Sequence, residues 1–331
     1  MADHTEYRQK KRRGGFAIGR RDFLKWSGCL SGGVLLGSAG VGRALAAAKG
    51  KTLTIGNIGW DEDVALAYLT KVILENELGY QHVTVAKHAV GDLFKGVADG
   101  SLDAFQDVWL PRTHRAYWEQ YGDKVAKLGP WYTGPANLGL TVPDYVPAKS
   151  IADLPAYKEQ FGGRIVGIEP GAGEMKIVEN KVVPGYHLDD YQLVSSTTPK
   201  MLAELDQAVR DQRPIVVTLY KPHWAFSVYR IRYLEDPKGL ISGHNEHLYS
   251  IVRQNLKHDK PDAYAFLNAI RFTPSQLGQL ELAINAARTP EDGVEDWLSG
   301  NGAFQSGSRN SVNRQLVRPW VEAAKRARRQ A

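Results

Sequence analysis

Cysteine is almost missing from this chain: among 331 residues there is one, Cys29, beside three methionines. Cys29 lies in a stretch with the features of a removable leader, so the remainder has no thiol for a disulfide, a nucleophile or a thiolate metal site. The chain also lacks a Gly-x-Ser-x-Gly elbow, a His-Glu-x-x-His pair and the Gly-Lys-Ser/Thr of a P-loop. Carboxylates are plentiful, but no spacing singles out a catalytic pair. His223 has no second His or Cys at ligand spacing. No catalytic residue, metal or cofactor is therefore expected. Beyond the leader no apolar run approaches the length of a membrane span.

An excess of one charge is missing too. The formal net charge is +6, yet nine of the 42 basic and three of the 36 acidic residues stand before residue 49, leaving 33 of each. A balanced chain has no general pull toward nucleic acid. Residues 1–48 carry the basic cluster, then an apolar, Gly-rich stretch from Trp26 to Val41, then small residues suited to cleavage. Within them Gly19-Arg20-Arg21-Asp22-Phe23-Leu24-Lys25 matches the twin-arginine export pattern, which places the mature chain outside the cytoplasm.

What is present is an alternation of strand and helix signals. Residues 51–58 read as a buried strand, residues 64–78 as a helix closed by Gly79, and residues 83–86 and 102–109 as further strands around a helix at 92–99. The pattern returns with strands at 164–168 and 214–219 and a helix at 200–211. Such alternation predicts α/β sheets with helices on both faces. Residues 138–142, between Pro135 and Pro143, read as a strand crossing between two domains, with the return near 232–243. Everything after His244 reads as mostly helical and packing back on the first domain. A two-lobed α/β clamp follows, with lobe 1 at 51–140 plus 244–305, lobe 2 at 141–243, and a basic C-terminal extension at 306–331 whose Lys325-Arg326-Ala327-Arg328-Arg329 end is solvated.

Large aromatics end several strands. Trp60 follows the first in Gly59-Trp60-Asp61, where it serves equally as a core residue or at the crevice beyond the strands' carboxyl ends, and Asp61 and Asp63 read as helix caps. Trp109 holds the same place on its own strand, with Asp107 projecting to the same side. An indole face attracts a quaternary ammonium and an imidazole can donate to a carboxylate, so Trp109 and His114, five residues apart, suit the two ends of a small zwitterion. Glu169-Pro170-Gly171-Ala172-Gly173-Glu174 joins strand to helix as either a plain tight turn or an anion-binding one. Tyr220, in Tyr220-Lys221-Pro222-His223-Trp224, could add a third ring, with Trp224 as packing.

Together these segments, with Tyr233-Leu234-Glu235-Asp236-Pro237-Lys238, resemble the glycine betaine and proline betaine substrate-binding proteins of ABC-type importers, from about residue 51 to 297. The resemblance implies a hinged type II periplasmic-binding-protein clamp, each lobe a mixed sheet flanked by helices, with the ligand in the cleft. It implies an aromatic cage of Trp60, Trp109 and Tyr220 around a trimethylammonium group. His114 and the backbone amides of Gly173 and Glu174 would then hold the carboxylate. The implied protein is a monomeric receptor, not an enzyme, that captures glycine betaine for an ABC importer permease. Choline or carnitine as ligand, or an exported enzyme acting on such a compound, are the alternatives. Two positions depart from familiar relatives: Tyr220 stands where they carry Trp, and Glu174 where they carry an aliphatic residue. If only its backbone is used, the Glu174 side chain points to solvent; turned inward and charged, it would repel a carboxylate.

Overall fold

The largely buried stretch Thr52–Asn57 makes the first strand, β1, and the Asp61 carboxylate complements the positive end of the helix that follows, α1 (Asp61–Leu78). Gly79 ends α1 in the left-handed region at φ 71°, a conformation glycine adopts without strain. The first block continues through β2 (His82–Lys87), α2 (Val90–Asp99), β3 (Ala104–Leu110), α3 (Arg115–Tyr121) and β4 (Val125–Pro130). All seven residues of β3 are buried, which suits a strand covered on both faces. This computed structural model describes residues 51–241, 246–300 and 311–331, all within one compact unit. The expected leader, its arginine pair and Cys29 lie outside the described residues.

A second block runs through β5 (Asn137–Pro143), β6 (Arg164–Val166), α4 (Gly173–Ile177), β7 (Gln192–Val194), α5 (Thr198–Arg210), β8 (Val217–Lys221) and β9 (Ile231–Tyr233). The chain then returns as β10 (His247–Arg253), followed by α6 (Pro261–Ala269), α7 (Pro274–Ala286), α8 (Pro290–Ser299) and α9 (Val312–Gln330). Two five-stranded mixed sheets result, in the orders β2-β1-β3-β10-β4 and β7-β6-β8-β5-β9. Each has three parallel strands, then one antiparallel to them, then an edge strand antiparallel to that one. The fold is the two-lobed α/β clamp, one sheet to each lobe.

One expectation is overturned, and two that hold gain detail. Residues 138–142 do not cross between lobes: β5 pairs with β8 and β9 inside the second sheet, and the crossing chains meet just before it, where Ala136 bridges Glu246. The flanking prolines suggested a linker, but β5 carries only Pro143, at its last residue, where the ladder ends. The segment after His244 begins with a strand, β10, which the helical stretches behind it obscured. The basic C-terminal segment is a docked helix: α9 buries Val317, Trp320, Val321 and Ala324, and Trp320 packs edge-on against Phe272 while Arg326, Arg328 and Arg329 stay exposed.

Candidate ligand site between the lobes

The site is assembled from strand ends. Trp60 caps the start of α1 directly beyond β1, while Trp109 and Tyr220 are the last residues but one of β3 and β8. Each of the latter two is followed by one residue and a cis proline, at Leu110-Pro111 and Lys221-Pro222. Gly173 and Glu174 open α4. Trp60, Trp109, Tyr220, Gly173 and Glu174 line one narrow cavity between the lobes. The ring centroids of Trp60 and Tyr220 are 6.1 Å apart and those of Trp109 and Tyr220 5.7 Å, the latter pair nearly perpendicular at 80°. The three rings thus converge although 160 residues separate the first from the last in sequence.

Hydrogen bonds hold the rings in place. Trp109 Nε1 donates to Asp107 Oδ1 at 2.8 Å. Trp60 Nε1 donates across the cleft to Glu169 Oε2 at 3.0 Å, and Glu169 also accepts from the backbone and hydroxyl of Thr198. The lobes meet closely at Gly173, where a Cβ would stand 2.5 Å from the Thr113 carbonyl oxygen, so glycine is required for this approach. Beside it, Glu246 from the returning crossing chain accepts from the backbone N–H groups of Arg112 and Thr113, each at 3.2 Å.

His114 does not line the cavity. It stands one ring behind, stacked on Trp60 with centroids 6.1 Å apart and planes 18° from parallel. Its Nδ1 accepts from the Trp109 N–H at 3.1 Å, and burial, aided by the Lys176 charge, pushes its pKa down to about 3. The ring is therefore neutral with its proton on Nε2, a buried donor that has no hydrogen-bond partner among the described residues. The helix expected over 113–121 starts at Arg115, which leaves Thr113 and His114 in the turn.

The Glu174 side chain is buried, not solvated. Oε1 accepts from the Gly139 N–H at 3.3 Å, while Oε2 has no partner. Burial pushes this carboxyl up to about 8 against the opposing backbone N–H groups of Gly139 and Leu219, so at neutral pH it is mostly uncharged.

Of the acids around the cage, Glu62 and Glu281 escaped the sequence reading, whereas Asp61 and Asp107 were singled out in it. Glu62 lines the cavity with both oxygens unpartnered, and burial, then Asp107 and Glu281, raise its carboxyl well above the usual range. Burial first, then neighbouring acids, does the same to Asp107 and Glu281. The Tyr220 phenol is raised by burial and then by Glu62, Asp61 and Asp107. Asp63 does act locally, its Oδ2 accepting from the Ile58 N–H at 2.6 Å. Asp61 does more than cap: its Oδ1 accepts from Trp224 Nε1 across the cleft and from Asn285 Nδ2, both at 2.7 Å, and its Oδ2 lies 3.2 Å from His223 Nε2. Burial raises the Asp61 carboxyl, but His223, Asn285 and Trp224 outweigh it and hold it below the ordinary value. Of the two missed acids, only Glu62, in the acidic run at 61–63, offered a signal; nothing near Glu281 in sequence marks it as close to the site.

With this geometry in hand, the likeness to known proteins is specific. Residues 51–300 match the substrate-binding domain of the ABC-type glycine betaine transport system. The chain is 37% identical over 168 residues to the glycine betaine/carnitine transport binding protein GbuC of Listeria monocytogenes serotype 1/2a (strain 10403S), covering 50% of this chain and 53% of that protein. It thus spans about half the length of that curated relative. Lactococcal OpuAC, in its closed-liganded conformation complexed with glycine betaine, superposes with a TM-score of 0.71 at 33% identity, over 82% of this chain and 99% of that one. The glycine betaine, L-proline-binding protein ProX from Borrelia burgdorferi gives 0.73 at 28% identity, over 83% and 99%. An ABC-transporter choline binding protein in complex with choline shares the fold at 0.71 with 22% identity, over 83% and 97%.

Proposed function

This chain belongs to the family of substrate-binding domains of ABC-type glycine betaine transport systems, and from that premise we propose that it captures a betaine-type quaternary ammonium compound between its lobes and hands it to a membrane importer. The observation that carries this reading is the convergence of Trp60, Trp109 and Tyr220 on one cavity between the lobes. Ring faces attract a methylated ammonium at about 0.5–2 kcal/mol each, and the ligand's carboxylate gains charge-assisted hydrogen bonds of about 1.5–3 kcal/mol. After the cost of association these leave a roughly micromolar site, near −8 kcal/mol.

The cage rings bind the cation, and His114 Nε2 with the backbone amides of Gly173 and Glu174 receive the carboxylate. His114 stands one ring back from the cavity, so it takes part once the ligand draws the Trp109–His114 corner inward. Lobe 1 takes the chain up to Ala136 together with the segment from Glu246 onward, and lobe 2 the chain from Asn137 until the return, hinged where Ala136 meets Glu246. The protein acts as an exported monomer, sent out by its twin-arginine leader, and makes no chemical change to its ligand. Among the described residues, no helix is long and apolar enough to cross a membrane.

A second ligand is favoured by one observation, the buried Glu174 carboxyl in the cavity lining. It suits a ligand ending in a hydroxyl, such as choline, as readily as one ending in a carboxylate. Calorimetry with glycine betaine, proline betaine, carnitine and choline separates these readings. At least one betaine should bind in the micromolar range, and silence across all four compounds would overturn the proposal.

A further inference from the structure

Glu174 is a carboxyl that the cage does not need, in a place where it would be costly unless it acted. Its residue is 2% exposed and lines the cavity, and among the described residues Oε1 accepts from the Gly139 N–H while Oε2 makes no hydrogen bond. An unpartnered buried carboxyl oxygen costs on the order of 1–3 kcal/mol, so a ligand atom that completed it would recover that amount. The backbone anchors the side chain from lobe 2, since Gly139 both donates to Oε1 and leaves room for the Tyr233 ring, 2.5 Å from where its Cβ would stand.

The groups facing it hold no cation against it. Tyr233, packed over Gly139, has its phenol raised by burial and then by Glu174, and donates its hydroxyl to the Asn137 carbonyl oxygen. Lys176, one half-turn along α4, directs Nζ to the Tyr117 hydroxyl at 2.9 Å and lies over that ring. Across the cavity stand Tyr220 and Glu62, whose carboxyl burial and neighbouring acids raise well above the usual range, and the neutral His114 lies behind Trp60. Lys221, beyond Tyr220, lies over the Phe226 and Tyr233 rings. None of these pairs with Glu174.

We infer that Glu174 is itself a ligand-contacting, specificity-determining residue: as a neutral acid its Oε2–H donates to the ligand's carboxylate, and as a carboxylate it accepts from a hydroxyl. This rests on the proposed function and adds to it a proton that travels with one ligand class and not with the other. When a carboxylate ligand binds above the carboxyl's own midpoint, Glu174 must take one proton from solvent. The raised carboxyl is competent below about pH 8, and competence is lost as pH rises through that value. A conformer that is the only binding-competent form lowers apparent affinity by its own fraction, roughly thirtyfold at about 1.5 pH units past the midpoint.

The test is calorimetry on the full mature chain with glycine betaine and with choline from pH 6.5 to 9.5, repeated at pH 8.5 in two buffers of different ionisation enthalpy. Glycine betaine should lose about thirtyfold in affinity over that range and bind with net proton uptake, while choline does not weaken. Glu174→Gln keeps a neutral donor and should bind glycine betaine with a flat profile and no uptake. A flat profile, or proton release, in the unmodified protein overturns the inference while leaving the receptor reading intact, and needs no variant to fold. Undiminished uptake in Glu174→Gln assigns the proton elsewhere and overturns it too. Failure of both ligands to bind at any pH would instead remove the receptor reading on which it rests.

Discussion

The third strand of each sheet ends in a corner built from the same parts, used differently. In lobe 1 the order is Trp109, Leu110, cis Pro111 and, three residues on, His114; in lobe 2 it is Tyr220, Lys221, cis Pro222 and His223. Both imidazoles accept at Nδ1 from a backbone N–H at 3.1 Å, from Trp109 and from Ala225, which leaves Nε2 as the outward atom of each. There the likeness stops. Among the described residues neither Nε2 makes a hydrogen bond of good geometry, but His223 Nε2 lies 3.2 Å from Asp61 of the opposite lobe, beside the Trp224 indole that donates to the same carboxylate, whereas no carboxylate faces His114 Nε2 at that range. One corner has committed its histidine to holding the lobes together; the other has kept its donor for something the chain does not supply.

The largest expected effect breaks the lobe 1 corner at its ring. Trp109 is among the largest fully buried side chains and both packs the cavity wall and covers Asp107. Trp109→Ala should weaken glycine betaine by at least about a hundredfold, in the range of an interface hot spot. Truncating a buried aromatic also costs stability, about 3–5 kcal/mol, so Trp109→Phe is the companion that keeps an apolar ring in the core. Tyr220→Phe in the other corner retains its ring face and should change affinity only a few-fold. Equal losses in Trp109→Ala and Tyr220→Phe would show that the ring faces are not what holds the cation.

How much of this was legible beforehand follows from which interactions are local. β1, α1, α2, β3 and α5 could be read because alternation, helical spacing and the glycines at 79 and 100 act within a few residues of themselves. The short strands β7 and β9, three residues each, carry too little pattern to register, and β10 is recognisable only through its partners β3 and β4. Within the site, the three rings each stood at a strand end, but packing residues stand there as well. Their convergence was expected only from the resemblance, and ring distances now describe it. The state of the acids was not legible at all. Whether Glu62, Asp107 and Glu174 carry charge depends on burial by residues far along the chain, and Asp61 looked like a cap because its partners Trp224 and His223 lie in the other lobe.

The two histidines sharpen the comparison directly. His114→Ala removes a neutral donor whose ligand is a carboxylate, along with the ring stacked on Trp60 and the acceptor of the Trp109 N–H, and should cost glycine betaine about tenfold more than it costs choline, as expected for a hydrogen bond to a charged group. His223→Ala removes a contact between lobes, so it should weaken glycine betaine and choline by the same few-fold factor, since both need closure. Parallel calorimetry on the two variants checks this. Equal losses for both ligands in the His114 variant, or selective loss in the His223 variant, would exchange or cancel the roles assigned to the corners.

The smallest effect concerns how Trp60 is held. Trp60 belongs to lobe 1 but its indole N–H ends on Glu169 of lobe 2, a half-buried carboxylate already occupied by the Thr198 N–H at 2.9 Å and the Thr198 hydroxyl at 2.9 Å. Three donors converge there on two oxygens, an arrangement that only a carboxylate satisfies. Glu169→Gln replaces one acceptor with an NH₂ that must face one of those donors, so either the Trp60 bond or a Thr198 bond is lost. The ring itself stays, wedged between His114 and Tyr220. The cage therefore survives, and affinity for every quaternary ammonium ligand should fall only about threefold to fivefold, a fraction of one charge-assisted hydrogen bond at a partly solvated site. A loss as large as that of Trp109→Ala would mean that orientation of Trp60, and not the presence of its face, governs capture, and that the closed state depends on the Trp60–Glu169 bond more than on the Asp61 clasp.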